Sequence, residues 1–515
     1  MKYFPRRALL VFSLVLGWRV LLLIFTAQPV PDNDAYDFDG GVVNFLHGGG
    51  YCNPPLAMVF PISGHEVESI YPPVYQGALL IWMACFGTSA LSAMALHLVF
   101  FALAGWITLA ILGRCFPAAT EYALLLLLPL GITFDDRPEG LAYIFGLCAL
   151  WCAARQMADP IFRPGRAVLL ALLLWLALYT SVIAGAFYFG VGFLACAAAG
   201  WPRRRLAWCV PLLAAALLFV IVTLAIVKLE PRWWAGFMEN ARQQSVTTRL
   251  FHLPHGDSLL KLIRTAPVFL LALAVLPLVW ARRKTVPAQL SVWLALISAI
   301  LVMGWILFIV SLTMLTTNYV TYVVFTQILL AAGLLALAQA YFPEWQRRLR
   351  GALVLCVLLV SVRAVGLSTW GAACAWTNSY ARTQAVVRTE LEPYTHSDRL
   401  VLLSSAFLYR AAELGVRHPI HSDWYFDHAV WITNAPTAGL IRCQPAKLIL
   451  TQFDYYRSFE EPLAQLRQHP EWVDIQVRNL AGVRPPDAIP VLHRVLQHLS
   501  WAPVIVDLQW KAPPP

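Results

Sequence analysis

Charge is scarce in this chain. Aspartate, glutamate, lysine and arginine make up 13% of its 515 residues, about half the share of an ordinary soluble domain, which excludes a water-soluble enzyme of that length. The ten cysteines form no Cys-x-x-Cys pair, so neither a zinc framework nor a disulfide scaffold is expected. Cys52, Cys374 and Cys443 fall outside the apolar runs, and their pairing is not deducible from sequence. No repeat at solenoid spacing is visible. No small-residue cleavage site follows the first apolar run, which reads as a retained helix rather than a signal peptide.

Apolar residues fill the space that charge leaves. Hydrophobic residues account for 59% of the chain, with 20 tryptophans and a mean hydropathy of +0.64. Runs over 11–27, 206–227 and 290–311 approach the roughly 20 residues needed to cross a bilayer. The expectation is an α-helical polytopic membrane protein.

The net charge of +10 is distributed in a way that orients such a protein. Basic residues cluster at Lys2/Arg6/Arg7, Arg114, Arg155/Arg163/Arg166, Arg203/Arg204/Arg205, Arg282/Arg283/Lys284 and Arg347/Arg348/Arg350. Spans threaded between these clusters put all of them on one side, the cytoplasmic side by the positive-inside rule. No nucleic-acid partner is implied. About 11 spans result, over 8–27, 89–113, 120–134, 138–157, 167–182, 184–200, 206–228, 266–281, 288–313, 319–341 and 351–370. The N-terminus is then cytoplasmic and the C-terminus extracytoplasmic. The segment 71–86 is apolar but short, and reads as a juxtamembrane helix on the outer face.

Two regions follow: a transmembrane region over 1–370, with outer loops 28–88 and 229–265, and a C-terminal region over 371–515. The second reads as a small extracytoplasmic α/β domain. RLVLLS (399–404) and KLILT (447–451) are strand-like, each followed by a helical pattern, AFLYRAAEL up to Gly415 and a helix through Leu463 to Arg467. The Pro-rich end, 512–515, reads as a frayed terminus.

The first outer loop carries four aspartates in eight residues: Asp32, Asp34, Asp37 and Asp39, in PDNDAYDFDGGVVNFLHGGGY. Tyr36, Gly40, Val43 and Leu46 recur at helical spacing, and Gly48-Gly49-Gly50 would end that helix. The ordinary role for Asp34, Asp37 and Asp39 is helix capping or a solvated face, weighed evenly against a site role. Neighbouring carboxylates also raise one another's pKa. A second acidic turn, Asp135-Asp136-Arg137-Pro138-Glu139, opens a later span. There, capping of a helix beginning at Pro138 competes with a site role.

The order of these motifs resembles GT-C glycosyltransferases, in particular the protein O-mannosyltransferase and aminoarabinose transferase relatives. The matching residues are Asp32, Tyr36, Gly40, Gly50-Tyr51, then Tyr71-Pro72-Pro73-Val74-Tyr75, Phe86-Gly87 and the turn Asp135 to Glu139. The chain departs from that pattern at Asn318-Tyr319, where many of those sequences carry a basic residue before the tyrosine. The resemblance implies transfer of a sugar from a polyprenyl-phosphate donor to a glycan, lipid or protein acceptor at the outer membrane face. In a bacterium this would be the inner membrane. Asp32 is then the general base, with Asp34 its substitute. Tyr36, Tyr71, Tyr75, Asp135, Asp136, Arg137, Glu139, Arg232 and Arg249 become substrate contacts, the arginines matched to the carrier phosphate.

No cofactor is required by this chemistry. A divalent metal is compatible with oxygen-rich acids, although departure of a monophosphate does not demand one. His252 and His255, three apart around Pro254, and the tail group His418, His421, Asp423 and His428 read as loop polar residues. Trp233-Trp234 reads as an interfacial anchor. Two other functions compete: a lipid-linked-sugar transporter or flippase, and a non-catalytic membrane assembly factor.

Overall fold

Long apolar stretches rich in leucine and alanine become helices because a helix satisfies every backbone N–H and C=O within one segment, as lipid demands. The computed structural model describes residues 6–27, 35–57, 72–117, 119–120, 123, 125–127, 137–159, 161–200, 206–229, 231, 234, 266–281, 288–313, 324–377, 380–421, 436–479 and 503–511. The helices are α1 (Arg6–Thr26), α2 (Ala35–Leu46), α3 (Pro73–Phe86), α4 (Ala90–Cys115), α5 (Glu139–Ala158), α6 (Pro164–Thr180), α7 (Val182–Gly200) and α8 (Val210–Leu229). They continue with α9 (Pro267–Ala281), α10 (Ala288–Thr313), α11 (Val324–Tyr341) and α12 (Gln346–Thr377). A further short helix, Pro54–Ala57, lies between α2 and α3.

Each expected span falls on one of these helices except that over 120–134, which lies largely outside the described residues. Among the described residues, six helices are long and apolar enough to cross a membrane, and α3, α6, α9 and α11 are shorter apolar helices. This is an integral membrane protein. Local chemistry sets the helix ends. Ser89 Oγ accepts the Ser92 N–H at the start of α4, prolines open α3 and α6, and Gly48, with φ +82°, ends α2.

Helix α11 is buried almost all round over 325–335 and sits among α4, α9, α10 and α12. A helix apolar on every face belongs at the centre of a bundle. Helix α8, by contrast, packs chiefly on α6 and leaves Leu213, Leu217, Val220, Ile221 and Leu224 exposed, a face suited to lipid. Helices α6 and α7 are separated by Ser181 alone. The corner is tight because Gly185 has no Cβ; one placed there would lie 2.4 Å from the Leu178 backbone.

The C-terminal region continues with α13 (Tyr380–Leu391), β1 (Val401–Leu403), α14 (Ser405–Leu414), β2 (Pro419–His421), α15 (Pro436–Cys443), β3 (Lys447–Thr451), α16 (Glu460–Leu466), β4 (Val473–Asn479) and β5 (Pro503–Trp510). The sheet order is β2-β1-β3-β5-β4. β1 is parallel to β2 and β3, whereas β5 runs antiparallel to β3 and β4. The strand expected over 399–404 is β1, and that over 447–451 is β3. Helix α14 stops at Gly415 with φ +66°, where a left-handed backbone favours glycine. β4 and β5 are additions to the expected elements.

Chain order on the two sides of β1 and β3 reverses at their carboxyl ends, the kind of edge where open α/β sheets bind ligands. That edge is turned toward the helical unit. Helix α14, which leaves β1, packs on α2, and the short helix Pro54–Ala57 packs on β2.

Candidate functional site

The carboxyl end of α1, the amino end of α4 and the helices between them lie at one face of the bundle. At about 1.5 Å per residue, the 12 residues of α2 and 14 of α3 fall short of a hydrocarbon core of about 30 Å. Neither is long enough to cross the bilayer by itself. Helix α2 packs against α3 on one side and α14 on the other. Its buried stripe is Tyr36, Asp39 and Val43, one helical turn apart, with Phe38 and Val42 beside it.

Asp39 is fully buried at 0% exposure. Its Oδ1 accepts the Tyr75 hydroxyl of α3, and its Oδ2 accepts the Tyr409 hydroxyl of α14, both at 2.7 Å. Tyr75 is in turn 2.9 Å from His97 Nε2 on α4. Burial pushes the Asp39 carboxyl up to about 7; the hydrogen bonds from Tyr409 and Tyr75 oppose that rise. The capping or solvated role considered for Asp39 is thus corrected. It lies inside the helix, in the stripe that the spacing of Tyr36 and Val43 already marked, and the signal was an acid falling on an apolar face.

Tyr36 and Tyr409 meet edge to face, with ring centroids 5.0 Å apart, and the Tyr36 N–H donates to Ser405 Oγ at 3.1 Å. Asn53 Nδ2 donates to the Tyr36 carbonyl at 3.2 Å, and Gln76 Nε2 to that of Phe38 at 3.4 Å. The expected contacts Tyr36 and Tyr75 are therefore brought to one cluster centred on Asp39, while the C-terminal unit supplies its far wall.

The second acidic turn meets the same helix. The Arg137 guanidinium stands over the Phe38 ring, 5.4 Å from its centroid, and pairs with Glu139 at 3.5 Å. Glu139 is buried at the start of α5, where its Oε1 accepts the Ser181 hydroxyl at 3.0 Å. So Arg137 and Glu139 are tied to the α6–α7 corner on one side and to α2 on the other. Asp32, Asp34, Tyr71, Asp135, Asp136, Arg232 and Arg249 lie outside the described residues, as do Asp423 and His428. For Asp37 only the backbone, in α2, is described.

Among the described residues, two ionisable side chains buried within spans went unremarked in sequence. Arg19 is buried in α1, with its guanidinium 6.0 Å from the Phe101 ring. His97 is buried in α4. Each lies seven residues from its helix end at the α2 face, a depth of about 10 Å. A polar track thus descends from Asp39 through Tyr75 to His97, with Arg19 at matching depth. Among the described residues, no three His, Cys, Asp or Glu side chains gather as metal ligands would.

No family model and no curated protein matches this sequence. Among solved structures, the chain is similar to ArnT from Cupriavidus metallidurans bound to undecaprenyl phosphate. The TM-score is 0.52 at 13% identity, covering 97% of this chain and 97% of that one. It is also similar to the archaeal oligosaccharyltransferase AglB from Archaeoglobus fulgidus in complex with an inhibitory peptide and a dolichol-phosphate. There the TM-score is 0.46 at 10% identity, covering 96% of this chain and 77% of that one. The first likeness shows a fold shared with that ArnT structure over nearly the whole length of both chains.

Proposed function

We propose that this protein is a membrane glycosyltransferase that moves a sugar from a polyprenyl-phosphate donor to an acceptor hydroxyl at the outer membrane face, with inversion. The observation that carries the reading is a fold shared end to end with a transferase structure that holds undecaprenyl phosphate, joined to an acidic segment that runs directly into α2. In this reading the bundle crosses the membrane about 11 times, with 371–515 outside.

The chemistry asks for three things. A carboxylate takes the proton of the acceptor hydroxyl as its oxygen bonds the anomeric carbon, while the bond from that carbon to the carrier phosphate breaks. Asp32 is assigned this role, with Asp34 next to it. Fixed cations receive the departing phosphate, and Arg137, Arg232 and Arg249 are assigned to it. An apolar wall shelters the polyprenyl chain, which the exposed leucines and valines of the spans can supply. Tyr36, Tyr71, Tyr75, Asp135, Asp136 and Glu139 shape the pocket, directly or through α2. In this reading the acceptor enters along the carboxyl edge of the sheet, where α14 packs on α2.

The test uses full-length protein in lipid nanodiscs, with a panel of polyprenyl-phosphate sugars and acceptor glycans, lipids and peptides. Asp32→Asn is expected to lower transfer by about 10²–10⁴-fold while carrier binding persists. Wild-type turnover by that variant would remove Asp32 from the role of base. Arg19 and His97 are in-span ionisable groups of the kind transporters use, so the same samples are tested in liposomes. Movement of the lipid-linked sugar across the bilayer with no glycoside formed would favour a flippase.

A further inference from the structure

A single carboxylate joins the helical unit to the C-terminal unit. Asp39 takes one hydrogen bond from Tyr75 on α3 and one from Tyr409 on α14. A second hydrogen bond between α2 and α14 runs from Tyr36 N–H to Ser405 Oγ. Tyr36 and Asp39 lie one turn apart on α2, and Ser405 and Tyr409 one turn apart on α14. Two bonds at matched spacing set the register of one helix on the other. Helix α2 begins at Ala35, directly after Asp34 and three residues after Asp32.

We propose that Asp39 is a positioning residue that works through its proton: the neutral carboxyl seats the C-terminal unit on α2, and ionisation loosens that seat. The inference rests on the transferase reading given above.

The hydrogen-bond geometry accommodates both protonation states. With Asp39 ionised, Tyr75 donates to it and His97 Nε2–H donates to Tyr75. With Asp39 neutral, its O–H is given to Tyr75, whose own hydrogen turns to His97 Nε2 at 2.9 Å. The two tautomers of a neutral imidazole serve the two cases. Tyr409 donates to the other carboxyl oxygen throughout.

The titratable and charged groups facing Asp39 are few. They are Tyr36 on α2, Tyr75 on α3, Tyr409 on α14, His97 behind Tyr75, Cys52 in the loop after α2, and Arg137 across Phe38. Asp37 shares the helix. On α14, Arg410 pairs with Glu413 and with Gln384 of α13. The hydrogen bonds drawn to Asp39 among the described residues come from the two phenols.

Burial pushes Asp39 up to about 7. If the seat opens and water reaches it, the carboxyl returns toward about 4. The docked form therefore binds the proton more tightly. Its proton-linked stabilisation is complete below the ordinary carboxylate range, declines as pH rises, and is gone above about 7. The opening constant should rise on the order of tenfold or more between pH 5.5 and 8, then level off.

The experiment uses full-length protein in nanodiscs, with hydrogen exchange over α2 and α14 and transfer rate both measured from pH 5.5 to 8.5. In the wild type, exchange corrected for intrinsic rates rises with pH to a plateau. Transfer shows an acid limb from the base and an alkaline limb from the opening seat. Asp39→Asn flattens the exchange profile and removes the alkaline limb while leaving the acid limb in place. Tyr409→Phe removes a donor that favours the ionised form, so its plateau moves to higher pH, a shift that a merely structural contact would not produce.

Exchange independent of pH in the wild type overturns the proposal. So does an Asp39→Asn enzyme that keeps the wild-type alkaline limb, or a Tyr409→Phe plateau that stays put. Should wild-type protein transfer no sugar to any acceptor, the transferase reading falls, and the exchange profiles still decide how the seat responds to the proton.

Discussion

Two carboxylates, Asp39 buried and Glu390 half-buried, tie the C-terminal unit together and to its neighbours, and they are held in opposite ways. Asp39 sits between two tyrosine hydroxyls. Glu390, near the end of α13, accepts a bidentate pair of bonds from Arg478 of β4 at 2.8 and 2.9 Å and another from Lys447 of β3. Asp507 of β5 completes that second group, 3.0 Å from Lys447 and 2.8 Å from Arg478. Two acids and two bases cancel. Burial alone would raise Glu390, but the hydrogen bonds and charges of Arg478 and Lys447 outweigh it and hold the carboxyl below the usual range. Lys447 is pulled down by burial and lifted further by Glu390 and Asp507, so it stays charged. A carboxylate matched to cations is a permanent tie. One matched to phenols keeps the proton as a variable.

The strongest way to break this comparison is to unbalance the paired group. Glu390→Gln leaves Lys447 and Arg478 sharing Asp507 alone. Breaking a buried pair costs about 3–5 kcal/mol; Arg478 is 45% exposed and Lys447 9%, so solvent screening brings the expected loss to about 2 kcal/mol. Peptide-resolved hydrogen exchange over β3, β4 and β5 reads it. Unchanged protection there would show that the group is ornamental and that its contrast with Asp39 carries no energetic meaning.

The next largest effect is a crossing of pH dependences. Glu390 has a depressed carboxyl in the folded chain, so its contribution is present above the ordinary glutamate range and lost as pH falls through the folded value. Asp39 has a raised one, so its contribution is largest in acid and lost as pH rises to about 7. Acidifying from pH 7 to 4 should therefore tighten α2 against α14 while it loosens α13 from β3 and β4. Parallel loosening of both regions in acid would erase the distinction.

The contrast also explains what sequence could and could not reveal. Helix α10 coincides with the run expected over 288–313, and β3 with KLILT, because apolar length and β-branched composition act locally. The stop at Gly415 was legible for the same reason: a left-handed turn needs glycine. β5 was missed although PVIVDLQW is apolar, since its role comes from antiparallel pairing with β3, more than 50 residues earlier. Asp39 shows the limit most clearly. Its place in the stripe of Tyr36 and Val43 was readable, but its meaning comes from Tyr409, 370 residues away. The acids Asp32, Asp34, Asp135 and Asp136 stand out by composition alone, and their assignment remains with the transferase proposal. Arg19 was overlooked because a lone charge inside a leucine-rich run does not disturb its hydropathy. Its burial emerges only when α1 packs on α4.

The smallest effect sharpens the comparison from within the paired group. Arg478→Gln removes the cation that is most exposed to water, while Glu390 keeps Lys447 and Lys447 keeps Asp507. Exposed ion pairs contribute about 0.2–1 kcal/mol, so a loss of about 0.5 kcal/mol is expected, well below that of Glu390→Gln. The double variant should then cost less than the two single losses added, because both remove the same bidentate contact. A larger loss from Arg478→Gln than from Glu390→Gln would place the weight of the group on its solvent side. Burial of the carboxylate would then not be what separates Glu390 from an ordinary surface pair, and Asp39 would have to be explained without it.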